Sequence, residues 1–340
     1  MIIQNAILSA TIHAPSGKTL SIGGDKVHAF VIDRSRFDAE FITQAQKNGA
    51  ELFVESKLTK AISTANGIAV QMEQLTKSSE LTCDLLIGAD GARSLVRDAF
   101  QFPPPQESLN GMGADITDVS LDPTRVEIFL GNEIAPGFFA WIIPTNKNST
   151  TARVGVCITK HAQHPLKQYF TSLFTNPVSA QFLQNAHITT HHAGSIPLGP
   201  LKKTTAAHVM LVGDAAAQVK PSSGGGLYPG LFCAKFCSSV AIDALRKKEF
   251  TMQILKQYHT LWNIGIGREL RVGMRFRSIY TRLNDNQLNS VLGKFNNPKT
   301  IEAINTYGDI DYPSKLVFPV FKTAPSLLRF LPLLTKSANL

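Results

Sequence analysis

The sequence is poor in the residues that staple, chelate or anchor a chain. Its 340 residues hold only 4 cysteines. Cys83, Cys157, Cys233 and Cys237 are too few and too scattered for a disulfide framework. Cys233 and Cys237 lie four apart on an expected helix, hence on one face; small buried residues are the favoured reading, a redox pair the alternative. The 9 histidines share no helical spacing with carboxylates, so no metal is expected, and His191–His192 are placed at a strand end. No apolar run approaches the ~20 residues that cross a bilayer. The opening "MIIQNAILSATIHAPSG" lacks a basic leader and a small-residue cleavage site. The expected location is therefore cytoplasmic, with peripheral contact on a membrane as a variant. Arginine-rich helices, aromatic–basic interleaving and zinc-finger spacing are also missing, which argues against nucleic acid as a partner. Acidic residues are outnumbered 25 to 34 by Lys and Arg, and the net charge of +9 suits a phosphate-bearing ligand or a lipid headgroup.

What is present reads as a large globular chain, with 44% apolar residues to build a core. "AILSATIHAPSGKTLSIGG" reads as two strands about a Pro-Ser-Gly turn. "VIDRSRFDAEFITQAQKNGAELFVESKL" reads strand, helix, strand. In it Asp38 is a first-turn acid, Phe37, Phe41, Ile42 and Ala45 form a helical stripe, and Gly49 ends the helix. A turn at Ala65-Asn66-Gly67 joins two strand-like runs. From about residue 112 to 195 strands dominate, as in "VEIFLG", "GFFAWIIP" and "ARVGVCIT", with one helix near Leu166–Phe174. After "HVMLVGDAA" comes a long helix from about Gly225 to Arg246, and helices follow residue 251. Helix–sheet units thus flank a strand-rich insert, which implies two domains exchanging chain.

Two stretches carry chemistry. In "LLIGADGARSLVR" a buried strand ends in Gly88-Ala89-Asp90-Gly91, a tight turn at the carboxyl edge of a sheet, where open α/β folds bind ligands. Arg97 nearby suits a phosphate or a carboxylate. In "VMLVGDAAAQVKPSSGGGLYPG" Asp214 follows an apolar strand and can accept hydrogen bonds from sugar-like hydroxyls. Gly224, Gly225 and Gly226 then open a helix whose first-turn N–H groups carry partial positive charge. Lacking side chains, they admit a flat ring. Each motif alone is an ordinary turn. Together they fit a flavin, with ribityl hydroxyls on Asp214 and the N1–C2=O2 edge of the ring at the helix N-terminus, where amides favour the reduced anion.

The pair resembles the two downstream flavin motifs of the FAD-dependent monooxygenase and reductase superfamily. The second is similar to that of the geranylgeranyl reductase family, whose archaeal members saturate isoprenoid lipid chains. "VIDRSRFD" is similar to the family segment whose arginine, here Arg34, approaches the FAD phosphates. "PGFFAWIIP" is similar to the substrate-cavity motif Pro-x-x-Tyr-x-Trp-x-Phe-Pro, with Pro136, Trp141 and Pro144 in place and Phe139 and Ile143 where the family has Tyr and Phe. "YGDIDYPSKL" resembles the family's C-terminal helical region. The resemblance implies FAD bound by Arg34, Asp90, Gly91, Asp214, Gly224, Gly225 and Gly226. It implies an isoprenoid lipid substrate lined by Phe138, Phe139, Trp141 and Ile142 or Ile143, and hydride transfer to a prenyl C=C bond. No proton donor is named; Tyr228, beside the glycines, is the polar group offered in place of the missing Tyr. Lys220 faces solvent, a lipid phosphate or the flavin. The electron donor is reduced ferredoxin or NAD(P)H. The tail "KLVFPVFKTAPSLLRFLPLL", with Lys322 and Arg329, is read either as a membrane-surface contact or as packing on the protein's own cavity.

One departure is large. The Gly-x-Gly-x-x-Gly that binds the FAD pyrophosphate is absent, and the first residues match the segment beyond it. A βαβ unit of roughly 30 residues is expected to be missing, leaving an exposed sheet edge. The expected fold is α/β with an α+β insert. An FAD-binding Rossmann-like domain (31–100 and 196–250), incomplete at its start, is interleaved with a strand-rich substrate domain (1–30 and 101–195) and followed by a helical C-terminal region (251–340). Beside the reductase reading stand a monooxygenase or halogenase of the same superfamily, and an inactive truncated fragment that binds lipid or a partner.

Overall fold

The computed structural model describes residues 2–74 and 77–330. The chain forms two compact units and passes between them repeatedly. Met1–Ala50, Leu109–Gly194 and Arg275–Leu340 make the first, Glu51–Ser108 and Ser195–Met274 the second.

The first unit opens with β1 (Ile3–Ile7), β2 (Ser9–His13), β3 (Thr19–Gly23), β4 (Ala29–Ile32) and α1 (Arg34–Lys47). β2 and β3 form the expected antiparallel hairpin about the Pro-Ser-Gly turn. Asp33 caps α1, its Oδ1 accepting from the Arg36 amide at 3.0 Å. Asp38, expected in the first turn, lies just past it and accepts from Arg34 at 3.3 Å. No residue of α1 is buried. The Phe37–Phe41–Ile42–Ala45 stripe is therefore an apolar face with no core against it.

Residues 51–54, Glu-Leu-Phe-Val, read as a strand but form none, and Leu52, Phe53 and Val54 are exposed. A strand needs a neighbour for its backbone groups, and no described strand pairs with this stretch. Order resumes at β5 (Ser56–Thr64), which with β6 (Gly67–Gln74) and β7 (Lys77–Cys83) makes a three-stranded antiparallel sheet; the first turn is the expected one at Ala65-Asn66. β8 (Leu86–Gly88) and the short α2 (Leu95–Ala99) follow.

The first unit resumes with β9 (Glu107–Thr117), β10 (Arg125–Phe129), β11 (Ala140–Pro144), β12 (Thr151–Thr159), α3 (Leu166–Ser172) and β13 (His187–Leu198). These strands join β2 and β3 in a seven-stranded sheet ordered β13-β9-β12-β11-β10-β2-β3. Alternation along it buries Phe129, Ile142, Val154 and Val156 against Tyr169 and Phe170 of α3. β10 and β2 run parallel and share a buried pair, His13 Nε2 to Glu127 Oε2 at 2.6 Å. The His13 ring stacks on Phe129 at 4.7 Å. His191 and His192 sit inside β13, not at a strand end, because β13 runs on as a long edge strand.

β14 (Thr205–Ala206) and β15 (Val209–Leu211) complete a second small sheet, ordered β14-β15-β8. Among the described residues β8 is its edge, with Ile87 exposed. α4 (Leu227–Lys247) and α5 (Met252–Trp262) cover this sheet, burying Cys233, Cys237, Val240, Tyr258 and Trp262 with Met210. Burial pushes the thiols of Cys233 and Cys237 up to about 12, and no disulfide joins them. They are small core residues. Leu227, Leu231, Ile242 and Leu245 fall on one face of α4 and are exposed, a second apolar stripe with no partner among the described residues.

A π-helical turn, Asn263–Gly267, leads into α6 (Arg268–Tyr280), then α7 (Asp285–Phe295), α8 (Pro298–Tyr307) and α9 (Ser314–Thr323). Asn284 and Gln287 form a capping box on α7, and Asn297 caps α8 ahead of Pro298. No helix among the described residues is long and apolar enough to cross a membrane. The expected tail contact falls partly on residues 331–340, which lie outside the described residues.

Candidate functional site

In the second unit, strand register brings the two glycine-containing motifs together. β15 pairs in parallel with β8, Val209 opposite Leu86 and Leu211 opposite Gly88. The Val212 amide donates to the Gly88 carbonyl at 3.0 Å. Both strands therefore end at the same edge, and the turns bearing Asp90 and Asp214 leave it side by side. The three residues of β15 are fully buried, which fixes that register.

The Asp214 turn is held from below. The Gly213 amide donates to Gln218 Oε1 at 2.8 Å, Gln218 Nε2 donates to Tyr258 Oη at 2.9 Å, and the Tyr258 hydroxyl donates to the Leu211 carbonyl at 2.8 Å. Gln218 and Tyr258 are fully buried, and burial raises Tyr258 well above the usual phenol range, so its hydroxyl stays a donor. Nothing in the spacing of Gln218 and Tyr258, forty residues apart, announces this ring of bonds.

Asp214 meets the start of α4. A Cβ built on Gly226 would stand 2.7 Å from Asp214 Oδ1, so only glycine leaves room for the carboxylate there. No side chain caps α4, whose first turn begins at Gly226. This is the geometry that a sugar-alcohol stem and a flat ring edge require: acceptor oxygens beside uncapped donors, with no Cβ between them. The chain's own residues thus fit the ribityl and ring portion of a flavin.

Three details differ from the sequence reading. The Gly224 amide donates to the Lys220 carbonyl at 2.8 Å, while the Lys220 amide donates to the Gly225 carbonyl at 3.1 Å. Gly224 thus closes the loop, and the first-turn donors belong to Gly226, Leu227 and Tyr228, since Pro229 has none. Asp90 turns back on its own helix, accepting from Ser94 Oγ at 2.6 Å and from the Val96 amide at 3.0 Å. Arg97, nearly buried, pairs with the neighbouring Asp98 carboxylate at 3.4 Å and donates to the Ala92 carbonyl at 3.0 Å and to the Ala215 carbonyl at 3.5 Å, tying the two turns together. Gly91, half-buried, takes a positive φ of 79° in its turn. Lys220 packs its stem beside Gly225, and Tyr228 keeps a ring contact with Phe232 at 6.0 Å.

In the first unit, the aromatic segment is built around β11. Ala140, Ile142 and Pro144 point into the core, while Trp141 and Ile143 share the other, half-buried face. Trp141 lies over Gly155, its cross-strand neighbour, where a Cβ would collide with the indole. Phe138 and Phe139 precede the strand, not within it as the sequence suggested, and stack at 4.3 Å. Phe138 is buried beneath Arg277, whose guanidinium stands 5.3 Å from the ring. Arg277 Nη1 donates to the Gly137 carbonyl at 2.8 Å, and the Tyr280 hydroxyl donates to the Phe138 carbonyl. Sequence reading missed this clamp because its parts are 140 residues apart. On the Trp141 face, Asp115 accepts from Arg153 Nε at 3.0 Å and from His192 Nε2 at 2.8 Å. Partial burial acts upward on Asp115, but these two bonds prevail and hold it below the usual carboxylate range. Arg34 is exposed and bonded to Asp38.

The same unit contains an apolar cleft of about 460 Å³ between β2–β3 and the helices from Phe276 onward, with Ile12, Ile22, Tyr280, Leu288, Leu292 and Val320 in its wall. None of Phe138, Phe139, Trp141 or Ile143 lines it.

Strand register, the Asp214–Gly226 contact and the uncapped helix together define a flavin-protein scaffold. Residues 25–231 match the FAD binding domain family, and the chain belongs to that family, with FAD as its cofactor. Among its relatives are two proteins named digeranylgeranylglycerophospholipid reductase. The one from Methanococcus vannielii is 28% identical over 333 residues, covering 96% of this chain and 82% of that protein. The one from Methanocaldococcus jannaschii is 26% identical over the same shares. In three dimensions the chain is similar to a geranylgeranyl bacteriochlorophyll reductase-like protein from Thermoplasma acidophilum, with a TM-score of 0.83, 20% identity, and 98% and 84% of the two chains covered. A flavin-dependent brominase is similar at a TM-score of 0.69 and 13% identity, with 97% and 81% covered.

Proposed function

We propose that the chain is a flavin-dependent reductase that saturates C=C bonds of geranylgeranyl or related isoprenoid chains, of the kind carried by archaeal-type membrane lipids. The observation that carries the reading is the approach of Asp214 Oδ1 to Gly226 at the head of α4, taken with relatives named for this reaction. Halogenase chemistry has fold likeness alone behind it.

When bound, the flavin supplies a hydride to one alkene carbon, and a proton reaches the other. The protein's part is placement. Asp214 accepts hydrogen bonds from hydroxyls of the cofactor stem, and the donors of Gly226, Leu227 and Tyr228 face the electron-rich ring edge. Phe139, Trp141 and Ile143 offer an apolar surface to an alkene, which has no carbonyl to polarise; position and exclusion of water must lower the barrier. Arg277 and Tyr280 hold the backbone of that surface. The proposed electron donor is reduced ferredoxin or NAD(P)H, and a peripheral membrane position would bring the enzyme to its lipid.

The test begins with absorbance: the purified chain mixed with FAD should acquire a protein-bound flavin band. The loaded protein, reduced with dithionite and given a geranylgeranyl glycerol ether, should yield product heavier by two hydrogens for each bond saturated. A chain that stays colourless with added FAD would overturn the reading.

A further inference from the structure

The cleft of the first unit is walled almost wholly by apolar side chains. Its wall comes from helical positions at i, i+3 and i+4 spacing, Leu288, Val291 and Leu292 on one helix, facing Ile12 and Ile22 of the sheet. Such stripes ordinarily close on each other, since protein interiors leave few voids larger than a water molecule. Here a volume of about 460 Å³ stays open, within the range of roughly 300–1,000 Å³ typical of small-molecule sites. Among the described residues of its wall, Tyr280 alone has a polar side-chain atom, and that hydroxyl is engaged by the Phe138 carbonyl. Water in such a space finds no hydrogen-bond partner. A nucleotide, sugar or headgroup would leave its own polar groups unpaired. What remains is a hydrocarbon chain, for which every methylene moved out of water is favourable.

Tyr280 also supplies a direction. Its ring belongs to the cleft wall while its hydroxyl holds the backbone at Phe138, so the cleft abuts the aromatic segment proposed to receive the alkene. We propose that one isoprenoid chain of the substrate runs from the Phe138–Trp141 segment past Tyr280 into this cleft, which holds the isoprene units beyond the bond being reduced. The assignment rests on the reductase reading for the identity of the chain, but not for the existence of the site. The polar head lies outside the cleft. Pressure of the chain on the Tyr280 ring bears on the residues that position Phe139.

The full chain, without added flavin, is titrated with cis-parinaric acid as a fluorescent apolar probe, which geranylgeraniol then displaces. Saturable binding of one probe per chain is expected. Leu292→Trp and Val320→Trp, which fill the cleft, should weaken binding by at least about tenfold, while Leu245→Trp on exposed α4 leaves it unchanged. Should a filling variant melt early, the unaltered chain decides: geraniol, farnesol and geranylgeraniol must displace the probe with affinity rising in that order. Equal displacement by all three overturns the inference, as does absence of saturable binding or unchanged affinity in both well-folded filling variants. Length-graded binding by a chain that takes up no FAD upholds the cleft and sinks the reductase reading. Flavin uptake and alkene reduction with no cleft binding does the reverse.

Discussion

Asp214 and Gly226 are twelve residues apart in sequence and in contact in space, Oδ1 standing 2.7 Å from where a Cβ on residue 226 would be. A methyl group there must displace the carboxylate. Gly226→Ala is therefore expected to weaken FAD binding by about tenfold or more, the loss of one charge-assisted hydrogen bond. Asp214→Ala should do at least as much. Flavin fluorescence titration reads the effect, and an unchanged circular dichroism spectrum separates it from misfolding.

Tyr258 and Gln218 bond each other and the two ends of the Asp214 turn. Tyr258→Phe leaves the Gln218 amide and the Leu211 carbonyl buried without their partner, which costs about 1–3 kcal/mol. Gln218→Leu should cost a similar amount. Because the residues share one network, the double variant should fall short of the sum in urea unfolding. Strict additivity would show that the two act independently.

His13 and Glu127 are both buried and 2.6 Å apart. Removing one partner strands the other, so Glu127→Leu should destabilise the chain by about 3–5 kcal/mol, and adding His13→Leu should restore a substantial part. Chemical denaturation of the three variants measures this. If the double variant is no more stable than Glu127→Leu, the polar pair is not what holds β2 to β10.

Cys157, Cys233 and Cys237 have thiols pushed up to about 12 by burial. A raised value keeps the proton on sulfur at pH 8, where the reactive thiolate is almost absent. Native protein treated briefly with iodoacetamide at pH 8 should carry label at none of the three, while urea-unfolded protein carries it at all of them. Mass spectrometry of the peptides decides. Rapid native labelling of Cys233 would revive the redox alternative.

Asp115 is held below the usual carboxylate range in the folded chain. A lowered folded value contributes stability above the unfolded value of about 3.9, lost as pH falls through the folded one. Its side chain is more than a third exposed, so the contribution is small, about 0–1 kcal/mol. Asp115→Asn should lower stability by that small amount at pH 7, leave it unchanged well below the folded value, and so flatten the acid side of the profile below about pH 4; urea unfolding across pH 2–7 measures it.

Much of the fold was legible because hydrophobic period and turn residues act locally. The β2–β3 hairpin, the Ala65-Asn66 turn, the strand-rich insert and α4 follow from them. The strand-and-turn geometry around Asp214 and Gly226 was legible for a similar reason: an acid after an apolar strand and glycines before a helix are short-range signals. The failures occur where a neighbour decides. Among the described residues, Leu52-Phe53-Val54 has strand propensity but no strand to pair with, and α1 has an apolar stripe but nothing to bury it. Asp90 looked like a ligand group until Ser94 and Val96 claimed both its oxygens. Arg277 and Tyr280 could not be joined to Gly137 and Phe138 by any spacing rule, since the clamp exists only after the chain returns to its first unit.

The unpaired side of β8 and the bare Leu231–Ile242–Leu245 strip of α4 bear on survival before they bear on catalysis. Surfaces of this kind invite edge-to-edge association and draw chaperones and proteases. The abundance of the polypeptide in a cell should thus respond more steeply than its turnover number to whatever shields these two surfaces.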